Sequence, residues 1–320
     1  MRNGMATLHP SKKRKKGRVS NAVIFLLVFI LFVVVFGGLC LWAVSRINSE
    51  RKPMASSHAE DSLSSALSFS DEDARYLLLV TTDAGEARGF VVVYTDPAAS
   101  RIRTMAVPRD TNMDVGTEQM KLYELYRQKG VQETQKLLGE TLHVALSNYL
   151  VMTYEQVGKW VQYLDGGLTF DISEKLDYRS EDGTYSIHLD AGRRSLTPGQ
   201  VVDILRYPKW NAGRRQEADI QAQLLTAMIN QYWLPDRNWQ KDFEQLIAVS
   251  QSDIRISHFV QARSAIEFLA TKNTEGRLCS SVSLGGTYVG SGDQMRFEIE
   301  DTAMSSLQAV FRGNFTHDFA

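Results

Sequence analysis

The chain has 320 residues, 36 Lys and Arg against 37 Asp and Glu, a formal net charge of −1 and 43% hydrophobic residues. That length suits one large domain or two small ones. With only two cysteines, Cys40 and Cys279, a disulfide framework and a cysteine-built zinc site are excluded, so any folded domain relies on its apolar core.

The first 50 residues differ from the rest. Lys12, Lys13, Arg14, Lys15, Lys16 and Arg18 form a basic cluster, and no charged residue occurs from Ala22 to Val44. About 20 apolar residues cross a bilayer core, and the positive-inside bias puts the basic side in the cytoplasm. The run is longer than the apolar region of a cleaved signal peptide. Directly before such a span, the basic cluster sets topology and is not a nucleic-acid patch. The expected organisation is a cytoplasmic tail over 1–20, a transmembrane helix over 21–44, a Ser-, Ala- and Glu-rich stalk over 45–71 and a single extracytoplasmic domain over 72–320.

Three apolar runs follow: Tyr76 to Asp83, Phe90 to Thr95 and Ile102 to Val107. They read as central strands covered on both faces, with a hairpin turn at Asp96 to Ser100. Gln119 to Arg127 and Val131 to Leu138 read as helices, and a strand forms by Val151. Glu155 to Leu164 is amphipathic and stops at Gly166-Gly167. Leu168 to Ile172 and Tyr185 to Leu189 read as strands. Thr197 and Pro198 make a helix start, and that helix delivers Arg206-Tyr207-Pro208-Lys209. A long amphipathic helix carries Ile220, Leu224, Leu225, Met228, Ile229 and Tyr232. Two further helices, near 240–250 and 258–269, precede strands at 280–284 and 295–299. Strands interspersed with helices argue one α/β domain.

The chemistry concentrates where the third run ends, at Val107-Pro108-Arg109-Asp110-Thr111. Pro108 cannot donate to a ladder, so the strand stops there, and open α/β sheets bind ligands beyond strand ends. Arg109 has the planar fork that matches phosphate oxygens, and Asp110 is placed to hold a metal or to orient that fork. A surface Arg–Asp pair is the plain alternative. There is no glycine-rich phosphate loop, Ser-x-x-Lys or Gly-x-Ser-x-Gly site. His143, His188 and His258 lack ligand spacing. Tyr149, Tyr154, Trp160 and Tyr163 suit a core or the wall of a lipid tunnel.

The order of signals resembles the LytR–CpsA–Psr family of bacterial cell-envelope proteins. The residues that carry the likeness are Leu77-Leu78-Leu79-Val80-Thr81-Thr82-Asp83, Pro108-Arg109-Asp110-Thr111, Lys121, Asp165-Gly166-Gly167-Leu168, Leu196-Thr197-Pro198-Gly199-Gln200, Leu205-Arg206-Tyr207 and Leu284-Gly285-Gly286-Thr287-Tyr288-Val289. The resemblance implies an α–β–α sandwich around a central mixed sheet, with a long hydrophobic pocket beside it. It implies a single-pass bacterial membrane protein that moves a glycopolymer, with one phosphate, from a polyprenyl-pyrophosphate glycolipid onto peptidoglycan. It further implies arginines and a magnesium ion that neutralise the pyrophosphate.

Carried over residue by residue, Arg109, Asp110 and Arg206 stand as catalytic candidates. Arg88, Lys121, Lys209, Arg214, Arg215 and Gln221 stand as substrate-binding ones, and Asp83 with Glu86 as the magnesium ligands. Three departures matter. Glu86-Ala87-Arg88 stands where the family has Arg-Ser-Asp, so acid and base have changed places, and Arg88 is an alternative source of positive charge where the metal would sit. Pro208 replaces a second arginine after Tyr207. Aligning Leu224-Leu225 puts Glu217, Ile220 and Gln221 on the family's arginine, arginine and glutamine, with Arg214 and Arg215 about one turn early. A non-catalytic binder of polyprenyl-phosphate lipids, or a ligand-free structural domain, are the competing readings.

Overall fold

The computed structural model describes residues 68–164 and 166–312. The expected tail and membrane span, nearly all of the stalk, and Asp165 lie outside them. Among the described residues no helix is long and apolar enough to cross a membrane.

Strands β1 (Arg75–Asp83), β2 (Glu86–Asp96) and β3 (Arg101–Val107) form an antiparallel meander. A short hairpin, β4 (Asn112–Val115) and β5 (Glu118–Lys121), leads into α1 (Leu122–Thr141), and β6 (Leu146–Thr153) returns to the sheet. Next come α2 (Tyr154–Val161), β7 (Leu168–Ile172), β8 (Leu176–Arg179), β9 (Ser186–Leu189), β10 (Gly192–Leu196), α3 (Pro198–Arg206) and α4 (Gly213–Tyr232). The chain ends with α5 (Trp239–Val249), β11 (Gln251–Ser252), α6 (Ile256–Lys272), β12 (Cys279–Ser283), β13 (Gly286–Val289), β14 (Arg296–Ile299) and α7 (Asp301–Arg312).

The main sheet runs β11-β6-β1-β2-β3-β12. The β1–β6 and β3–β12 pairs are parallel and the others antiparallel, so the sheet is mixed. Alternation along each strand sorts the apolar runs onto two faces. Leu78, Val80, Phe90, Val92, Tyr94, Met105 and Val107 pack against Leu122, Leu125 and Leu138 of α1 and Leu307 and Phe311 of α7. Leu79, Val91, Val93, Ile102 and Ala106 pack on the other face against Ala222 and Ile229 of α4 and Leu269 of α6. This double burial is why the three runs carry no polar alternation. A separate core forms beside the sheet from α2, α3 and β7 to β10, around Leu168, Ile187, Val201 and Ile204.

Thr197 caps α3 through its hydroxyl, which accepts from the Gln200 N–H at 3.3 Å, with Pro198 in the first turn. The two helices expected over 119–138 are both present: the span of α1 is broken into two helical segments at Gly130, whose backbone is not helical (φ +79°, ψ 177°); Gln119 to Lys121 belong to β5. Arg206 ends α3 and does not follow it. Strands β4, β5, β8, β10 and β13 are only four or five residues long, and periodicity did not mark them.

Candidate active site at the strand ends

β1, β3 and β6 point the same way, so Asp83, the Pro108–Thr111 turn and the start of α2 gather at one end of the sheet. β2 begins there too, since Asp83 pairs with Glu86 and Val107 with Phe90. The turn after β3 is tightly held. The Thr111 N–H and hydroxyl both donate to the Pro108 carbonyl, at 2.9 and 2.6 Å, and the Phe297 N–H donates to the Asp110 carbonyl at 2.9 Å.

β2 opens with a bulge. Thr81 pairs with Gly89 but Thr82 pairs with Ala87, which leaves Arg88 as the extra residue. A bulge re-aims its side chain and frees backbone groups. Gln221 of α4 takes up one of them: its amide nitrogen donates to the Arg88 carbonyl at 3.2 Å, and its amide oxygen accepts from the Thr81 hydroxyl at 2.6 Å. Gln221 lies directly over Gly89, where an added Cβ would sit 1.7 Å from the amide oxygen. Both ends of this side chain are therefore used within the protein, and it acts as a strut behind the site.

Arg88, Gly89, Phe90, Val107, Arg109, Arg214, Glu217, Ala218 and Gln221 line a hollow of about 10 Å³, room for one water molecule. The residues from α4 are 214, 217, 218 and 221, which share one helix face. Arg215 lies off that face. It pairs with Asp219 at 3.2 Å, donates to the Ser283 hydroxyl at 2.7 Å and stacks on Phe297. Arg214 donates to the buried Asp110 carboxylate at 2.7 Å. Arg214 thus faces the strand ends, and Arg215 braces β12.

Arg109 makes no ion pair among the described residues; its guanidinium lies over the Tyr123 ring at 4.5 Å. Lys121 shares that ring at 6.0 Å and donates to the Asp293 carbonyl at 2.6 Å. Arg206 grips Asp83 with two nitrogens, at 3.0 and 2.6 Å, and also pairs with Glu155. Glu155 is held below the ordinary carboxyl value, first by its own backbone N–H at the start of α2 and also by Arg206. Lys209 lies apart, 5.2 Å over the Tyr178 ring.

Two features escaped the sequence. Tyr154 is buried, and its phenol is pushed up by burial and then by Glu217, with Arg88, Asp83 and Arg109 also acting on it. It is thus within electrostatic reach of both Asp83 and the charged groups of the hollow. The Glu217 carboxyl group makes no hydrogen bond or ion pair among the described residues. Burial raises its carboxyl pKa despite the opposing fields of Arg109, Arg214 and Arg88. The spacing 214–217–221 would have placed it on the site face of α4. It also accounts for the first departure. An arginine, Arg88, stands where the resemblance calls for an acid and an acid, Glu217, where it calls for an arginine, and the two line one hollow.

Magnesium fits this donor set poorly as arranged. Both Asp83 oxygens accept from Arg206, and Glu86 is paired with Arg88 at 3.2 Å. Among the described residues, no three His, Cys, Asp or Glu side chains converge as a metal site. Among the described residues, the hollow itself is far smaller than the lipid-length cavity implied by the resemblance. Leu79, Val91, Val93, Ala106, Ala222 and Ile229 fill the layer between sheet and α4.

A model of the LytR_cpsA_psr family matches residues 43–305. The chain belongs to that family. Among LytR–CpsA–Psr relatives, it is 21% identical over 238 residues to the polyisoprenyl-teichoic acid–peptidoglycan teichoic acid transferase TagV of Bacillus subtilis (strain 168), covering 71% of this chain and 59% of TagV. The chain thus spans less than two thirds of that curated relative. The crystal structure of B. subtilis TagV superimposes with a TM-score of 0.60 at 18% identity, over 75% of this chain and 96% of the other. A Eubacterium siraeum DSM 15702 protein, described in its crystal structure as a transcription regulator, gives 0.68 at 14% identity, over 81% and 98%. At these identities the structures establish the shared fold.

Proposed function

We propose that this LytR–CpsA–Psr domain is an extracytoplasmic transferase, anchored by the apolar segment at 21–44, that moves a glycopolymer from a polyprenyl-pyrophosphate carrier onto peptidoglycan. The observation that carries this reading is the unpaired Arg109 guanidinium at the strand ends, within one hollow with Arg88 and Arg214. Such a cluster suits a diphosphate, whose transfer demands charge neutralisation and alignment more than covalent help. The name of TagV supports a teichoic-acid-like donor and a peptidoglycan acceptor.

In this reading Arg109 and Arg88 take the phosphate oxygens, and Arg214, oriented by Asp110, supplies a third positive fork. Arg206 and Asp83 hold β1, α2 and α3 in register around Tyr154. Guanidinium groups carry the neutralisation, and no step is assigned to a metal. The polyprenyl tail lies along the apolar layer between the sheet and α4, which must part to admit it.

The test is transfer by the full-length protein in detergent, from a polyprenyl-pyrophosphate-linked disaccharide to peptidoglycan fragments. Wild-type protein transfers and Arg109→Ala does not; equal activity in both removes the proposal. The exchanged Glu86 and Arg88, Pro208 and the altered start of α4 favour one second reading, a binder of polyprenyl-phosphate lipids without turnover, and binding without transfer in the same assay would select it.

A further inference from the structure

The carboxylates at this end of the sheet differ in how they are held. Asp83 and Glu155 are bound to Arg206, Glu86 to Arg88, Asp110 to Arg214 and Asp219 to Arg215. Glu217 lines the hollow and, among the described residues, has no such partner. A proton acceptor needs an oxygen free to take the proton and placed where the reacting group arrives. Resting on the transferase reading above, we propose that Glu217 is the catalytic base: its carboxylate takes the proton of the acceptor hydroxyl as that oxygen attacks the phosphorus bearing the glycopolymer.

The new bond joins the acceptor oxygen to that phosphorus. The bond that breaks is the bridge to the second phosphate, whose electron pair leaves with the polyprenyl monophosphate, and the proton on Glu217 then passes to water. The groups facing Glu217 suit this role. Arg88 from β2, Arg109 and Asp110 from the turn after β3, and Arg214 from its own helix act on its carboxyl electrostatically. Glu217 in turn acts on the phenols of Tyr154 from α2 and Tyr288 from β13. Burial raises the affinity of Glu217 for a proton, which makes it a stronger base than an exposed glutamate. The arginines oppose the effect of burial and favour the carboxylate form, and a bound diphosphate would offset their charge as the proton is to be taken.

The experiment uses full-length protein with the donor and acceptor named above, across pH 5–9, beside a calorimetric titration with inorganic pyrophosphate. Glu217→Gln is expected to slow transfer by about 100-fold or more, to bind pyrophosphate at least as tightly as wild type, and to lose the rise in rate on the acid side of the pH profile. Glu217→Asp is expected to retain that rise at a reduced rate. Wild-type transfer by Glu217→Gln, or a loss of rate that only follows a loss of pyrophosphate binding, overturns the assignment. Wild-type protein that binds pyrophosphate but transfers nothing overturns the transferase reading itself, and the base with it.

Discussion

Arg206 reaches from the last turn of α3 to close a two-pronged ion pair with Asp83 at the end of β1, at 3.0 and 2.6 Å across 123 positions of sequence. The pair joins the main sheet to the smaller core built on α2 and α3. Its geometry is the strong bidentate form. Asp83→Asn and Arg206→Lys should each lower stability, and a double-mutant cycle should give a coupling of about 1–2 kcal/mol, discounted for the partial exposure of the arginine. Equilibrium denaturation of the four proteins measures it; a coupling near zero would mean the two cores are held together elsewhere.

Gly89→Ala should cost about 2–3 kcal/mol in stability. The new methyl group lands on the Gln221 amide, which must then abandon both the Thr81 hydroxyl and the Arg88 carbonyl. Adding Gln221→Ala should restore part of the loss, because the clash is removed although the carbonyl stays unpaired. Additive losses in the double variant would contradict this account of the glycine.

The two adjacent arginines at the start of α4 should separate cleanly. Arg214→Ala should weaken pyrophosphate binding by about tenfold or more, as expected for a lost charge-assisted contact. Arg215→Ala should leave that affinity within about twofold and instead lower the melting temperature, since its partners are Asp219, Ser283 and Leu284. Calorimetric titration and thermal unfolding on the same preparations decide it.

The contribution of Glu217 to stability should fall as pH rises above the ordinary glutamate value of 4.5, as should that of Asp219. Burial raises the carboxyls of Glu217 and Asp219, so the folded state holds their protons more tightly than the unfolded state does. Their ionisation therefore removes stability as pH climbs from the unfolded pKa through the folded one, with no further change above it. Glu217→Gln should flatten part of this slope and unfold at a higher temperature than wild type at neutral pH. A variant less stable than wild type at pH 7 would show that the carboxylate is held favourably after all.

The main sheet was legible because doubly buried strands leave long apolar runs, and Pro108 marked the strand end that carries the site. Strands β4, β5, β8, β10 and β13 were not, since a residue such as Arg193 or Gln119 is placed by partners distant in sequence or by a short hairpin. Asp83, Arg88, Arg109, Asp110, Arg206, Arg214 and Gln221 were read from the strand-end rule and the family likeness, and they gather at one sheet end. What the sequence hid was direction. Arg215 turns away because a helix puts it about 100° from Arg214, and Lys209 stacks on Tyr178. Glu217 was passed over because it reads as an acid in a place meant for a base. Only the fold shows that Arg88 and Glu217 line one hollow.

The central claim is that the strand-end guanidinium groups form a diphosphate site. Calorimetric titration of full-length wild-type and Arg109→Ala protein with inorganic pyrophosphate tests it most directly. The account predicts saturable one-site binding by wild type, and at least a tenfold weaker affinity in Arg109→Ala with unchanged thermal stability, about 1.4 kcal/mol of binding energy or more. No saturable binding by wild type, or the same affinity in both proteins, would contradict it.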